Sequence, residues 1–304
     1  MADRGTPAKL WQSLSKILRR DKELDNSSAS PPALSADQFI QFFCHKVEMI
    51  RKDTENCPPP SPAPPRSTIP ALMELKACTE DVVRRMILSS PTKSCTLDPI
   101  PTFLLKESVD VLLPYLTAMI NASLREGRLP ASQKHAILTP LLKKSHLDAS
   151  DLKNYRPVSN LAFISKVAER IVVEKLVSHL QEQDLLPRLQ SAYRRHHSTE
   201  TALLRVMSDI YAAVDRQDVT LLGLLDLSAA FDCVDHDILV RRLQQSFSIC
   251  GTALAWLQSF LHSRTQQVCF NRQLSTVVEL LFGVPQGSVP VSYTHLTLPT
   301  NREV

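Results

Sequence analysis

The chain has 304 residues, 43% of them hydrophobic, enough for one or two domains with a sizeable core. Its 35 basic and 31 acidic residues leave a net charge of +4, too mild to argue for a nucleic-acid partner without help from their distribution. No stretch approaches about eighteen uninterrupted apolar residues and the start Met1-Ala2-Asp3-Arg4 is polar, so neither a membrane span nor a signal peptide is expected. Seven cysteines, odd in number and without a C-x-x-C pair, read as reduced thiols. Six glycines beside 21 prolines describe a helix-rich chain punctuated by proline.

In chain order, Leu10, Trp11, Leu14, Ile17 and Leu18 share one helical face, with Lys16, Arg19 and Arg20 toward the end, where cations suit the dipole. An amphipathic helix is predicted over 9–24, and Phe39, Ile40, Phe43 and Val47 predict a second over 37–51. Pro58-Pro59-Pro60, Pro62 and Pro64-Pro65 then rule out helix and sheet and read as an extended spacer. The domain boundaries drawn from this are a helical segment 1–56, a linker 57–71 and a main domain 72–289, the first segment packing loosely on the rest.

Beyond the linker, helices are predicted over 79–88, 102–107 and 113–125, with a turn-rich block at 93–101. Residues 136–142 alternate as a strand ending in Lys143-Lys144, which would either meet a phosphate backbone or face water. Ile164, Val167, Ala168, Ile171, Val172, Leu176 and Leu180 recur at helical spacing, with Ser159 or Asn160 as cap and Pro187 as stop. Further helices are predicted over 199–214, from near Asp235, and around Trp256, Leu257 and Phe260. Residues 265–270 and 276–281 read as a hairpin turning at Asn271-Arg272-Gln273, and the whole as α+β, or a mixed α/β arrangement.

The run 219–225 is almost wholly apolar, as expected of a central strand buried on both faces, and the first charge after it is Asp226. A carboxylate there is either a hard oxygen ligand for magnesium, in a nucleotidyl-transfer site whose two ions stand roughly 3.5–4 Å apart, or a turn cap. Asp232, Asp235, His236 and Asp237 admit a metal-dependent hydrolase reading, but no partner motif lies elsewhere. Cys233 and His236 likewise lack a second pair at zinc-finger distance.

The stretch 225–236, LDLSAAFDCVDH, in which an aromatic follows Asp226 by five residues, resembles the first catalytic motif of reverse transcriptases, in the version found in non-LTR retrotransposons of the long-interspersed-element type. Three more blocks agree in order: NYRPVSN (154–160) running into Ser165-Lys166, QSAYR (190–194) with His197-Ser198-Thr199-Glu200, and GVPQGS (283–288). The resemblance implies a right-hand polymerase, here its fingers and an incomplete palm, that performs RNA-directed DNA synthesis inside the cell, in cytoplasm and nucleus. Its partners would be an RNA template, a DNA primer and deoxynucleoside triphosphates, with no membrane. Asp226 would be the catalytic ligand of Mg2+. Phe231 would lie under the incoming sugar and select deoxynucleotides, Arg194 would hold the triphosphate through its guanidinium fork, and Gln286 would contact nucleotide and template. Lys153 and Arg156 would contact the nucleic acid.

After Val289 the family continues with a helix and a hairpin bearing an aromatic-Ala-Asp-Asp sequence. Residues 291–300, VSYTHLTLPT, fit no part of that pattern and resemble the translation of a sequencing adaptor, so 290–304 is expected to be foreign. Lacking the aspartate pair, the chain is expected to be inactive. The alternative is a non-catalytic nucleic-acid-binding remnant in which Lys143, Lys144, Arg156, Arg194 and Arg195 hold a template.

Overall fold

The computed structural model describes residues 34–57, 69–93, 95–192, 194, 196–225 and 229–289. The helix expected over 9–24, Asp226 and the tail 290–304 therefore lie outside the described residues.

Ser35 starts α1 (Ala36–Thr54) with a reciprocal capping box: its hydroxyl accepts from the Gln38 backbone N–H, and the Gln38 side chain accepts from the Ser35 N–H. Phe39, Ile40 and Phe43 fall on one buried face. The elements that follow are α2 (Glu80–Ser89), α3 (Thr102–Glu107) and α4 (Val109–Glu126), then β1 (His135–Leu142), β2 (Tyr155–Asn160), α5 (Phe163–Glu182) and α6 (Thr199–Asp215). The described chain closes with α7 (His236–Phe247), α8 (Gly251–Leu261), β3 (Thr265–Phe270), β4 (Gln273–Leu274) and β5 (Val278–Glu279). The α+β expectation is borne out.

Among the described residues the sheet runs β2-β1-β3-β4, with β5 also paired to β3. β1 is antiparallel to β2 and parallel to β3, with His135 opposite Thr265 and Leu138 opposite Val268. Proline cannot donate to a ladder, and the two in the sheet sit where this matters least: Pro140 lies beyond the last β3 partner and faces Pro157 on edge strand β2. The expected hairpin forms with a tighter turn, Asn271 and Arg272 both at positive φ, and a broken return strand. The break lies at Ser275, whose hydroxyl accepts the Val268 N–H at 2.9 Å in place of a ladder carbonyl.

α1 lies on this sheet. The Phe39 ring sits 4.7 Å from Phe270 and 4.9 Å from Tyr155, and the Asp37 carboxylate accepts the Thr276 N–H at 2.8 Å. The expectation that everything before the proline run packs loosely does not hold for α1, because its aromatic stripe finds the sheet face as partner. The helical layer beneath holds the core, in which Trp256 and Phe260 of α8 stack with centroids 5.8 Å apart, among Ile120, Leu124, Ile171 and Val172. Trp256 donates its indole N–H to Ser123 Oγ at 3.0 Å, so burial leaves no orphaned donor.

Two further expectations fail. α5 is not capped by Ser159 or Asn160. Both lie in β2, and Asn160 Nδ2 donates to Ile137 O and Thr139 Oγ1. The cap comes from the turn-rich block, where Asp98 accepts the Phe163 N–H at 2.6 Å and the Cys95 N–H at 3.0 Å. The buried strand over 219–225 does not form either, and Val219, Leu221 and Leu225 are 97% or more exposed. A strand exists only as part of a ladder, and no described segment pairs with this one. α6, just before it, has no buried residue.

Candidate nucleotide and nucleic-acid cleft

A cavity of about 580 Å³ opens where β2, the turn 229–234, the loop 283–288 and the inner face of α1 meet. β2 and the residues before it supply Lys153 and Arg156, the turn supplies Asp232, the loop supplies Gln286, and α1 supplies Phe42 and Lys46.

The loop 283–288 is fastened to its neighbours bond by bond. Gly283 N donates to Val234 O at 2.8 Å, Val284 N to Phe231 O at 3.0 Å, and Ser159 N to Gln286 O at 2.7 Å. Gly283 has φ +79, and a Cβ there would lie 2.5 Å from Asp232 O. The first glycine of GVPQGS is thus required by both dihedral and space. His236 Nε2 lies 2.7 Å from Gly283 O. A ring nitrogen facing a carbonyl carries the proton, so His236 donates through Nε2. Burial depresses its pKa, and His262 adds to that against the opposing pull of the Gly283 bond, Asp235 and Asp237.

Gln286 Nε2 donates to Asp232 Oδ1 at 2.6 Å. Burial pushes the Asp232 carboxyl above the usual carboxylate range, partly offset by this bond and by Lys46. Asp235 caps α7, accepting from Asp237 N and Ile238 N, and pairs with Arg51 at 3.0 Å. Burial works against its ionisation, but the Ile238 N–H, Arg51 and the Asp237 N–H outweigh it and hold the pKa low.

At the far end of the loop, Glu169 Oε2 accepts the Val289 N–H at 2.9 Å and Oε1 accepts the Ser165 hydroxyl at 3.0 Å. Glu169 is fully buried, which pushes its pKa up against the pull of the Val289 N–H and the charge on Arg264. A signal for it was available: 165, 169, 172 and 176 form one helical row, and a carboxylate within that row has to be bonded inside.

The cleft brings together Lys153, Arg156 and Gln286 of the expected site residues. Arg156 makes no ion pair with a described residue. Lys143 spends its ammonium on Lys153 O at 2.7 Å. Arg194 stands apart, with Nη1 donating to Pro187 O at 3.0 Å. The Phe231 ring packs against the core cluster and does not line the cavity. Asp232, Asp235, His236 and Asp237 do not converge as the hydrolase reading requires. Among the described residues, no group of three or more His, Cys, Asp or Glu could hold a metal ion.

The sequence profile of the family described as reverse transcriptase (RNA-dependent DNA polymerase) matches residues 141–296. The chain belongs to this reverse transcriptase family. The match covers all four motif blocks in full and, from Lys153 to Gln286, every expected site residue; it also runs past the join expected at Pro290. The chain is 27% identical over 237 residues to the RNA-directed DNA polymerase from mobile element jockey of Drosophila melanogaster, covering 76% of this chain and 26% of that protein. It is 32% identical over 209 residues to the probable RNA-directed DNA polymerase from transposon X-element of the same fly, covering 69% and 23%. The transposon TX1 uncharacterized 149 kDa protein of Xenopus laevis is 27% identical over 216 residues, covering 71% and 16%. The chain thus spans about a quarter or less of the length of these relatives. The resemblance drawn from the motifs is borne out.

Proposed function

We propose that this chain forms the fingers and first palm segment of the reverse transcriptase of a non-LTR retrotransposon, and in a longer protein takes part in RNA-directed DNA synthesis on a primer paired with an RNA template. The observation that carries the reading is that Lys153, Arg156 and Gln286, from two separate motif blocks, border one cavity. Lys153 and Arg156 offer cations to backbone phosphates, the sequence-independent part of nucleic-acid affinity. Gln286 offers an amide to the nucleotide or template. In our reading Phe231 supports the sugar, a role that asks its ring, which packs on the core outside the cavity, to be approached from the sugar's side. Arg194 is spent on backbone carbonyls as it stands, so its triphosphate role asks for a change of rotamer.

The described residues do not by themselves make a metal site. In our reading Asp226 holds a divalent ion, magnesium, together with a carboxylate from elsewhere in the longer protein. When bound, such ions stabilise negative charge at the reacting phosphate. An intracellular setting is supported by seven unpaired cysteines, and no described helix is long and apolar enough to cross a membrane.

The test is a salt titration of the affinity of the 304-residue chain for a labelled RNA–DNA primer–template. Binding that weakens with salt is expected, and Arg156→Ala and Lys153→Ala should each lower the logarithmic slope by about one. Affinity independent of both substitutions would overturn the reading.

A further inference from the structure

The carboxylate of Asp232 has no place in the roles assigned so far, yet it bonds directly to Gln286 in the loop. An ionised carboxylate only accepts hydrogen bonds, so the Gln286 amide must turn its NH2 toward it, as the 2.6 Å bond from Nε2 to Oδ1 records. The amide oxygen is then left over, and it accepts from no described residue. The backbone holds the pair in register: Gln286 O is fixed by Ser159 N, and Gly283 lies against Asp232 O with no room for a side chain. Both side chains border the cavity, where Lys46 of α1 and the Gln286 bond favour the ionised carboxylate against its burial.

We propose that Asp232 is a positioning residue: it sets the direction of the Gln286 amide, so that Oε1 is presented to the cleft as an acceptor for a hydrogen-bond donor on the bound nucleic acid. This rests on the reading of the cleft as a nucleic-acid site. An amide free to rotate presents oxygen and nitrogen in turn. Fixed by Asp232 it presents one, and the site discriminates donors from acceptors. Asp232→Asn keeps size and shape but can donate as well as accept, so it removes the direction and little else.

The experiment is a double-mutant cycle on primer–template affinity, using Asp232→Asn, Gln286→Ala and the pair, with thermal unfolding of each. Asp232→Asn should weaken binding about threefold to tenfold, the worth of one hydrogen bond, and have no further effect once Gln286 is Ala. Losses that multiply in the double variant would make Asp232 merely structural and overturn the proposal. A second readout needs no ligand: the side-chain amide protons of Gln286, followed by 15N NMR, should be slow to exchange in the parent chain and fast in Asp232→Asn. Unchanged amide signals would overturn the proposal. Absence of nucleic-acid binding by the parent chain would sink the reading of the cleft, leaving the amide measurement to decide the brace.

Discussion

Arg51 and Asp235 tie the C-terminal end of α1 to the start of α7, Nη2 standing 3.0 Å from Oδ2. The same guanidinium lies 3.5 Å over the Phe282 ring, next to the first residue of GVPQGS. One side chain therefore joins three pieces of the cleft wall. Arg51→Ala is expected to weaken the docking of α1 by about 1–2 kcal/mol, the usual worth of a half-exposed ion pair and a cation–π contact. Faster hydrogen exchange in 36–54, with the helices of the core unchanged, would record it.

Because α1 is held by the sheet, a cut in the proline run should not release it. Limited proteolysis within 58–68 is expected to yield two fragments that stay together on gel filtration in native buffer and separate in denaturant. Separation in native buffer would contradict the packing of Phe39 on Phe270.

Gly283→Ala is expected to be among the most damaging single substitutions in the loop. It meets both a left-handed dihedral and a Cβ position 2.5 Å from Asp232 O, for a combined cost of about 2–4 kcal/mol. A fall in Tm, with loss of the protected Gln286 amide, is the result to look for.

Much of this was legible in the sequence. The stripe of Phe39, Ile40 and Phe43 located α1, the apolar row from Ile164 to Leu180 located α5, and the turn near Asn271 located the hairpin, because periodicity reports which face is buried. What periodicity cannot report is the partner. The run 219–225 is as apolar as a buried strand and lies exposed, since hydropathy says nothing of whether a ladder stands beside it. Asp98 was visible only as part of a turn-rich block, and His236 and Asp232 only as members of a metal-ligand reading that fails. Their bonds to Phe163 N, Gly283 O and Gln286 Nε2 span separations of 65, 47 and 54 residues, which no local pattern encodes.

His236 makes stability depend on pH. Its pKa is depressed in the folded chain, so acidification protonates the unfolded state first, and the stability it contributes is present above about pH 6.5 and lost as pH falls further. Glu169 works the other way, since its raised pKa makes burial least costly in acid. Comparison of the parent chain with His236→Gln isolates the first effect. The gap in Tm between them should narrow from pH 7.5 to pH 5.5, and a constant gap would contradict a neutral, donating His236.

The exposed run 219–225 and the apolar residues of α6, Leu204 at 69% and Tyr211 at 60% exposure among them, leave many large apolar side chains in water within one stretch of chain. The isolated chain is expected to bind a hydrophobic dye and to self-associate. Leu221→Thr with Leu225→Thr should raise solubility while changing stability by no more than about 0.5 kcal/mol, because neither side chain is buried. A marked fall in Tm would show that they are packed.

The parallel pairing of β1 with β3 also sets a clock on biosynthesis. His135 finds Thr265 only after 130 further residues have been made. At about 5–20 residues per second, that is a wait of roughly 6–26 s. Once β2 has been made, β1 has it on one side and an open edge on the other. That open edge can recruit the wrong strand, so the interval before β3 emerges is when the nascent protein most needs a chaperone.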